Sequence, residues 1–256
     1  MGRFLFASKL LAASTAVNVA IYVVAGLAAL VALFFMFLII TSMCERQRMT
    51  GDIEPAQEPY PYPPSPYWQE TRRSALQSGL HFAGDFATRK DASVVKGLQA
   101  MFITEDRMVI VAVISGGFAG AKLKKTVLRS RLQDGRALES SDNPGLGDLS
   151  GVMERAVLLN AGVHELLLFH RHRIEASGSS AAPFNVNNVE GEFERLDLEK
   201  AERWVGAGLA RWGDPGHTCV RLTLKGSLAN IQQSLFGEGA KLNKQSHRIN
   251  VPRAGS

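Results

Sequence analysis

Six histidines, two cysteines and one glycine-rich stretch are the residues of this chain best suited to chemistry. His164-Glu165 opens like the helical zinc motif H-E-x-x-H, but the next histidine is His170. Six residues along a helix separate two side chains by about 120°, so these two rings do not share a metal. His170 falls on an apolar stripe and reads as a packed core residue, while His172, between Arg171 and Arg173, reads as a solvated partner of a helix end. The run from Ser115 to Lys122 holds three glycines after an apolar segment and could cradle a phosphate on exposed amides. It lacks the G-x4-G-K-[ST] spacing, and a bulge or wide loop would use the same glycines. Gly147 to Gly151 has the letters of a nucleophile elbow in the wrong order, and Asp148 or Ser150 is explained as a helix cap. Two cysteines exclude a disulfide framework and a four-thiolate zinc site. Cys219 reads as a packing residue, Cys44 as a thiol open to acylation, and neither a metal nor a cofactor is expected. An enzyme built on this chain would draw on dispersed groups such as His81, His164, His217 and Asp85.

A second chemistry is charge. Thr126 to Gln133 and Arg136 to Ser141 flank Asp134-Gly135, the dipeptide that a two-residue hairpin turn prefers because both central residues need positive φ. Aligning Gln133 with Arg136 puts Leu128, Leu132 and Ala137 on one face and Arg129, Arg131 and Arg136 on the other. With Lys122, Lys124 and Lys125 just before, those arginines form a possible anionic-contact surface; a solvated outer sheet face has the same pattern.

The elements around that hairpin follow from periodicity. Leu98 to Thr104 and Arg107 to Ile114, split by Glu105-Asp106, form a first hairpin, so four meandering strands are expected. Helices are expected at Val152 to Asn160, at Val163 to Ser177, and from about Val189 to Trp212 with a break near Gly206 and Gly208. In the second of these, Val163, Leu166, Leu167, His170 and Ile174 share the core stripe. Asn187 or Asn188 caps the third, whose acids come early and bases late. A strand at Cys219 to Leu224 and a short helix at Ser227 to Phe236 close the domain. Strands grouped before helices, with no internal repeat, give an α+β domain: an antiparallel meander covered on one face by helices.

Ahead of this domain, no charged residue occurs from Leu10 to Cys44. Residues 1–18 form a tail and lead-in, and residues 19–41 are long enough for one membrane crossing, an uncleaved anchor. Arg3 and Lys9 balance Arg46 and Arg48, so the basic flanks do not orient it; the short amino-terminal tail favours an exported domain. Residues 42–70 hold six prolines between Pro55 and Pro66 and read as an extended spacer, with Tyr60, Tyr62, Tyr67 and Trp68 either at the bilayer surface or starting the domain. The folded part is residues 71–236, and residues 237–256 form a basic, flexible tail.

The 256 residues carry a net charge of +5, 46% hydrophobic and 21% charged residues, which excludes disordered and collagen-like classes. Residues 71–256 carry 25 Lys and Arg against 19 Asp and Glu. Without aromatic interleaving that excess does not make a nucleic-acid surface, and nucleic acid is not an expected partner. The expected function is a single-pass, membrane-tethered interaction module without catalysis. Its partners are the lipid bilayer through the anchor, and a protein or an anionic lipid through the domain. The alternative is a tethered, hydrolase-like enzyme using the dispersed histidines and aspartate.

Overall fold

In the computed structural model, residues 2–44, 47–48, 53–89, 96–118, 121–143 and 153–236 are described. The chain forms two compact units, Met1–Cys44 and Glu45–Ser256. The first contains helix α1 (Gly2–Cys44), within which Tyr22–Cys44 is one helix stretch long and apolar enough to cross a membrane.

The second unit is α+β. Its elements run β1 (Gln47–Arg48), β2 (Ile53–Pro55), α2 (Pro66–Gln77), β3 (His81–Thr88), β4 (Lys96–Ile103), β5 (Ile110–Phe118), β6 (Ala121–Leu132), β7 (Ala137–Ser141) and β8 (Met153–Val157). Then follow α3 (Val163–Ala176), β9 (Ala181–Ala182), a short 3-10 helix (Val186–Asn188), α4 (Val189–Gly206), β10 (Ala210–Trp212), β11 (Cys219–Leu222) and α5 (Leu224–Phe236). The main sheet has the order β2-β3-β4-β5-β6-β7-β8, with β9 paired to β6. All pairs are antiparallel except β7 with β8. A small sheet orders β1-β11-β10.

The class and the meander agree with the sequence, whereas the covering differs: helices lie on both faces. Leu98, Ala100, Phe102, Val111, Val113 and Leu128 pack against Trp68 and Ala75 of α2 and Leu166, Leu167 and Phe169 of α3. Met101, Ile103, Ile110, Ala112 and Val127 pack on the other face against Phe193 and Leu196 of α4. The physical reason lies in residues 100–103 of β4 and 110–114 of β5, which are consecutively apolar, so both sides of the pleat need cover. Each fully buried Met101 or Phe102 contributes about 1.5–3 kcal/mol.

Three other expectations are corrected. Met153–Val157, within a stretch expected to be helical, is strand β8, which alternates buried Met153 with exposed Glu154 and ends on buried Val157. The proposed spacer is docked from Ile53 onward. Ser65 accepts from the Trp68 amide at 3.2 Å and Pro66 takes the first helical position, where its missing N–H costs nothing, so α2 begins inside the proline cluster. Trp68 is buried, and Tyr60, Tyr62 and Tyr67 pack against the core. The turn after β6 also shifts register. The Leu132 amide donates to the Arg136 carbonyl at 2.8 Å, leaving a three-residue loop with Gly135 at φ 85°. Caps at Asp148 or Ser150, and the tail 237–256, lie outside the described residues.

Candidate functional site

Alternation along β6 sets the faces of five of the six cationic residues, and the register shift decides that of Arg136, because moving a pairing by one residue exchanges faces. Arg131 now pairs with Ala137, and Arg136 shares the face of Leu132. Arg129 and Arg131 lie beneath α4. Arg129 is 6% exposed and donates to Asp197 Oδ2 at 2.8 Å and Oδ1 at 3.2 Å, to Glu139 Oε2 at 3.0 Å and to the Phe193 carbonyl at 3.2 Å. Its guanidinium also stacks 3.9 Å from the Phe193 ring centroid. Arg131 pairs with Glu199 at 2.7 Å, and Lys125 lies 3.8 Å from Glu139. Burial disfavours charge on Glu139, but Arg129, Arg155 and Lys125 outweigh it and hold that carboxyl at about 2. The expected basic face is therefore a closed ion network for Lys125, Arg129 and Arg131. Arg136 sits at the turn with Asp134 at 2.7 Å and Glu154 at 2.5 Å. Lys122 and Lys124 alone of the six are exposed, on the opposite face.

A second buried cluster resembles a nucleophile and base, and geometry removes that role. Ser130 Oγ donates to the Met108 carbonyl at 2.6 Å, so it accepts from His170 Nε2 at 2.9 Å. Ser140 Oγ accepts from Arg173 at 2.9 Å and donates to His170 Nδ1 at 2.8 Å. Burial, helped by Arg173, pushes His170 down to about 3 and keeps it neutral. Ser130, Ser140 and His170 are each 0% exposed, so no substrate reaches them.

The other chemistry-bearing residues are scattered. His164 is exposed on α3, His217 stacks on Trp212 at 4.5 Å, and His81 begins β3. None of the four main cavities is lined by more than one of His81, His164, His217 and Asp85. Among the described residues no group of three or more His, Cys, Asp or Glu is placed to hold a metal.

What the fold leaves open is the edge of β3. Strand β2 pairs only with Phe86, Ala87 and Thr88, and the Ala56 amide adds a bond to the Asp85 carbonyl at 2.8 Å. Beyond that point, His81–Gly84 has β4 on its inner side and, among the described residues, no strand on its outer side. A bulge falls between Phe82 and Gly84. Bulges guard edges, as do lysine and proline, yet His-Phe-Ala-Gly carries neither and leaves Phe82 44% exposed. A groove of about 560 Å³ follows this edge between the Pro55–Tyr60 segment and the start of α4, and a second of about 440 Å³ continues it past His81, Ile103 and Arg107. Both are lined by Phe82 and by Val186, itself 41% exposed.

The polar walls of this groove are fixed from behind. Asp85 accepts from Arg72 Nε and Nη2, each at 3.2 Å, and from the Tyr60 hydroxyl at 2.7 Å. Burial and then Asp85 push that hydroxyl up to about 12, so it remains a donor. Arg72 also covers the Phe82 ring at 4.6 Å. Glu58 and Glu190 line the groove from its two sides, and burial reinforced by Glu194 raises the Glu190 carboxyl. Periodicity did not reveal this site, because β3 mixes exposed and buried residues irregularly and α2 starts within prolines; the legible signal was the Ser65-Pro66 helix start. Comparison of the chain with protein-family models, with curated proteins and with solved structures returns no match.

Proposed function

We propose that this protein is a membrane-tethered, non-catalytic module that captures an extended segment of a partner protein by strand addition along His81–Gly84. The added strand continues the line of β2. The observation that carries the reading is the uncharged, proline-free half of β3 whose outer side has no strand among the described residues, set beside exposed Phe82 and Val186. Main-chain hydrogen bonds supply affinity in this mode and pockets for alternate side chains supply selectivity. Glu58 and Glu190, lining the groove, favour a segment with lysine or arginine among its apolar residues. Tyr22–Cys44, as a single-pass anchor, holds the module at the bilayer.

The test uses the full chain in neutral detergent and a labelled peptide of about eight residues alternating valine with lysine. The expected result is saturable binding, protection of the His81–Gly84 amides from hydrogen exchange, and a loss of about tenfold in Val186→Ala or Phe82→Ala. Absence of protection at those amides would overturn the reading. So would concentration-dependent self-association abolished by Val186→Glu, which would assign the edge to a second copy of the chain.

A further inference from the structure

The opposite end of the sheet holds a second opening. Pairing across β4, β5 and β6 sets Lys96, Gly117 and Lys122 in one row and Leu98, Ser115 and Lys124 in the next. Directly paired residues share a face, so all six project to the same side. Gly117 contributes no side chain, which leaves a gap between two lysines that stand about 10 Å apart across two strand spacings. Tyr62, Pro63 and Ser65, from the docked proline segment, wall this gap into a cavity of about 270 Å³.

Its described lining is one-signed. Three lysines line it and, among the described residues, no carboxylate does. Lys122 and Lys124 are exposed, Lys124 Nζ lies 5.7 Å from the Tyr67 ring centroid, and Lys96 Nζ is held by the Arg89 carbonyl at 3.0 Å. Ser65 Oγ and Ser115 Oγ lie 2.6 Å apart at the wall. Gly116 and Gly117 pair with strands on both sides, so recognition falls to ammonium and hydroxyl groups rather than to backbone amides. A tetrahedral oxyanion can accept from several such donors at once.

We infer that this cavity is a binding site for a phosphate group, with Lys122 and Lys124 as its cationic ligands. The group belongs either to a soluble phosphate compound or to the phosphomonoester headgroup of a lipid. The inference stands independently of the strand-addition reading, since it uses the other end of the sheet.

Two measurements on the full chain test it. Calorimetry in neutral detergent with inorganic pyrophosphate should show saturable, salt-sensitive binding that weakens about tenfold or disappears in the double variant Lys122→Glu/Lys124→Glu. The charge-matched variant Arg203→Glu/Arg211→Glu, at exposed positions elsewhere, should bind as the native chain does. Native mass spectrometry of the chain released from nanodiscs of phosphatidylcholine and phosphatidic acid then separates the sources. Retained phosphatidic acid that the lysine variant loses assigns the site to lipid. Equal retention in both, with pyrophosphate binding still lost in the variant, assigns it to soluble phosphate. Binding unmoved by Lys122→Glu/Lys124→Glu in both arms, or binding in neither arm, overturns the inference. Lys122→Gln/Lys124→Gln, which removes charge without reversing it, should show a smaller loss of the same sign.

Discussion

Strand β6 carries Lys122 and Lys124 near one end and Arg129 and Arg131 near the other, and the two ends treat them in opposite ways. At the arginine end, α4 and β7 bring Asp197, Glu199 and Glu139 to the guanidinium groups, with Arg129 and Glu139 buried and Arg131, Asp197 and Glu199 half-buried. At the lysine end, the neighbouring strands offer Gly117 and Ser115, and the described lining of the cavity holds no acid. Identical charge on one strand therefore becomes internal structure in one place and unspent binding capacity in the other. The partner side chains decide which, and they come from distant parts of the chain.

The largest expected effect breaks the closed end. Arg129→Ala leaves buried Glu139 and half-buried Asp197 without their principal cation and removes the contact with Phe193. Unfolding of the full chain in micelles should show a loss of about 3–5 kcal/mol, because an orphaned buried charge costs more than the pair contributes. A double-mutant cycle with Asp197→Ala should give strong coupling; additive losses would show that the two groups do not act as one unit.

Over the window from pH 6.5 to 5, a smaller effect comes from pH. The folded pKa of His170, about 3, lies below its ordinary value of 6.5, so the unfolded chain binds a proton that the folded chain refuses. Stability is complete above about pH 6.5 and declines as pH falls toward 3, by up to about 1.4 kcal/mol per pH unit. The cause is geometric as well as electrostatic: Ser140 Oγ already spends its proton on Nδ1 and accepts from Arg173. Glu139, held at about 2, adds its own loss only below its ordinary value of 4.5. His170→Gln should lower stability at pH 7 yet flatten the limb between pH 6.5 and 5 in a denaturant titration. An unchanged slope there would assign the limb to another group.

How far these contrasts could be read beforehand depended on the reach of the signal. Local patterns carried well: the β4–β5 hairpin, the core stripe of α3 with His170 inside it, and α4 capped by Asn188 and ending at Gly206 before Gly208 at φ 69°. The unbroken apolar runs at residues 100–103 and 110–114 also announced cover on both faces, a signal that the alternation of β6 masked. A one-residue error in the turn was enough to move Arg136 to the wrong face, since Asp134-Gly135 fits both a two-residue turn and the observed three-residue loop. The open half of β3 was illegible, because an edge is defined by a strand that stops pairing and no residue type marks that event.

The smallest expected effect returns to the arginine that changed face. Arg136 is half-exposed and grips Asp134 and Glu154 at the turn, so it resembles Arg129 in its number of acidic partners and differs in solvent, its side chain being 37% exposed against 7%. If partner count governed stability, Arg136→Ala and Arg129→Ala would be equally damaging. Screening by water predicts otherwise: Arg136→Ala should leave the unfolding midpoint within experimental error, while raised salt should leave the Arg129 network in place. A midpoint loss for Arg136→Ala comparable to that of Arg129→Ala would place the decisive difference in turn geometry, through the Asp134 carboxylate that also accepts from the Arg136 amide at 3.0 Å. Asp134→Asn separates the two explanations, because it weakens the ion pair while keeping an acceptor for that amide.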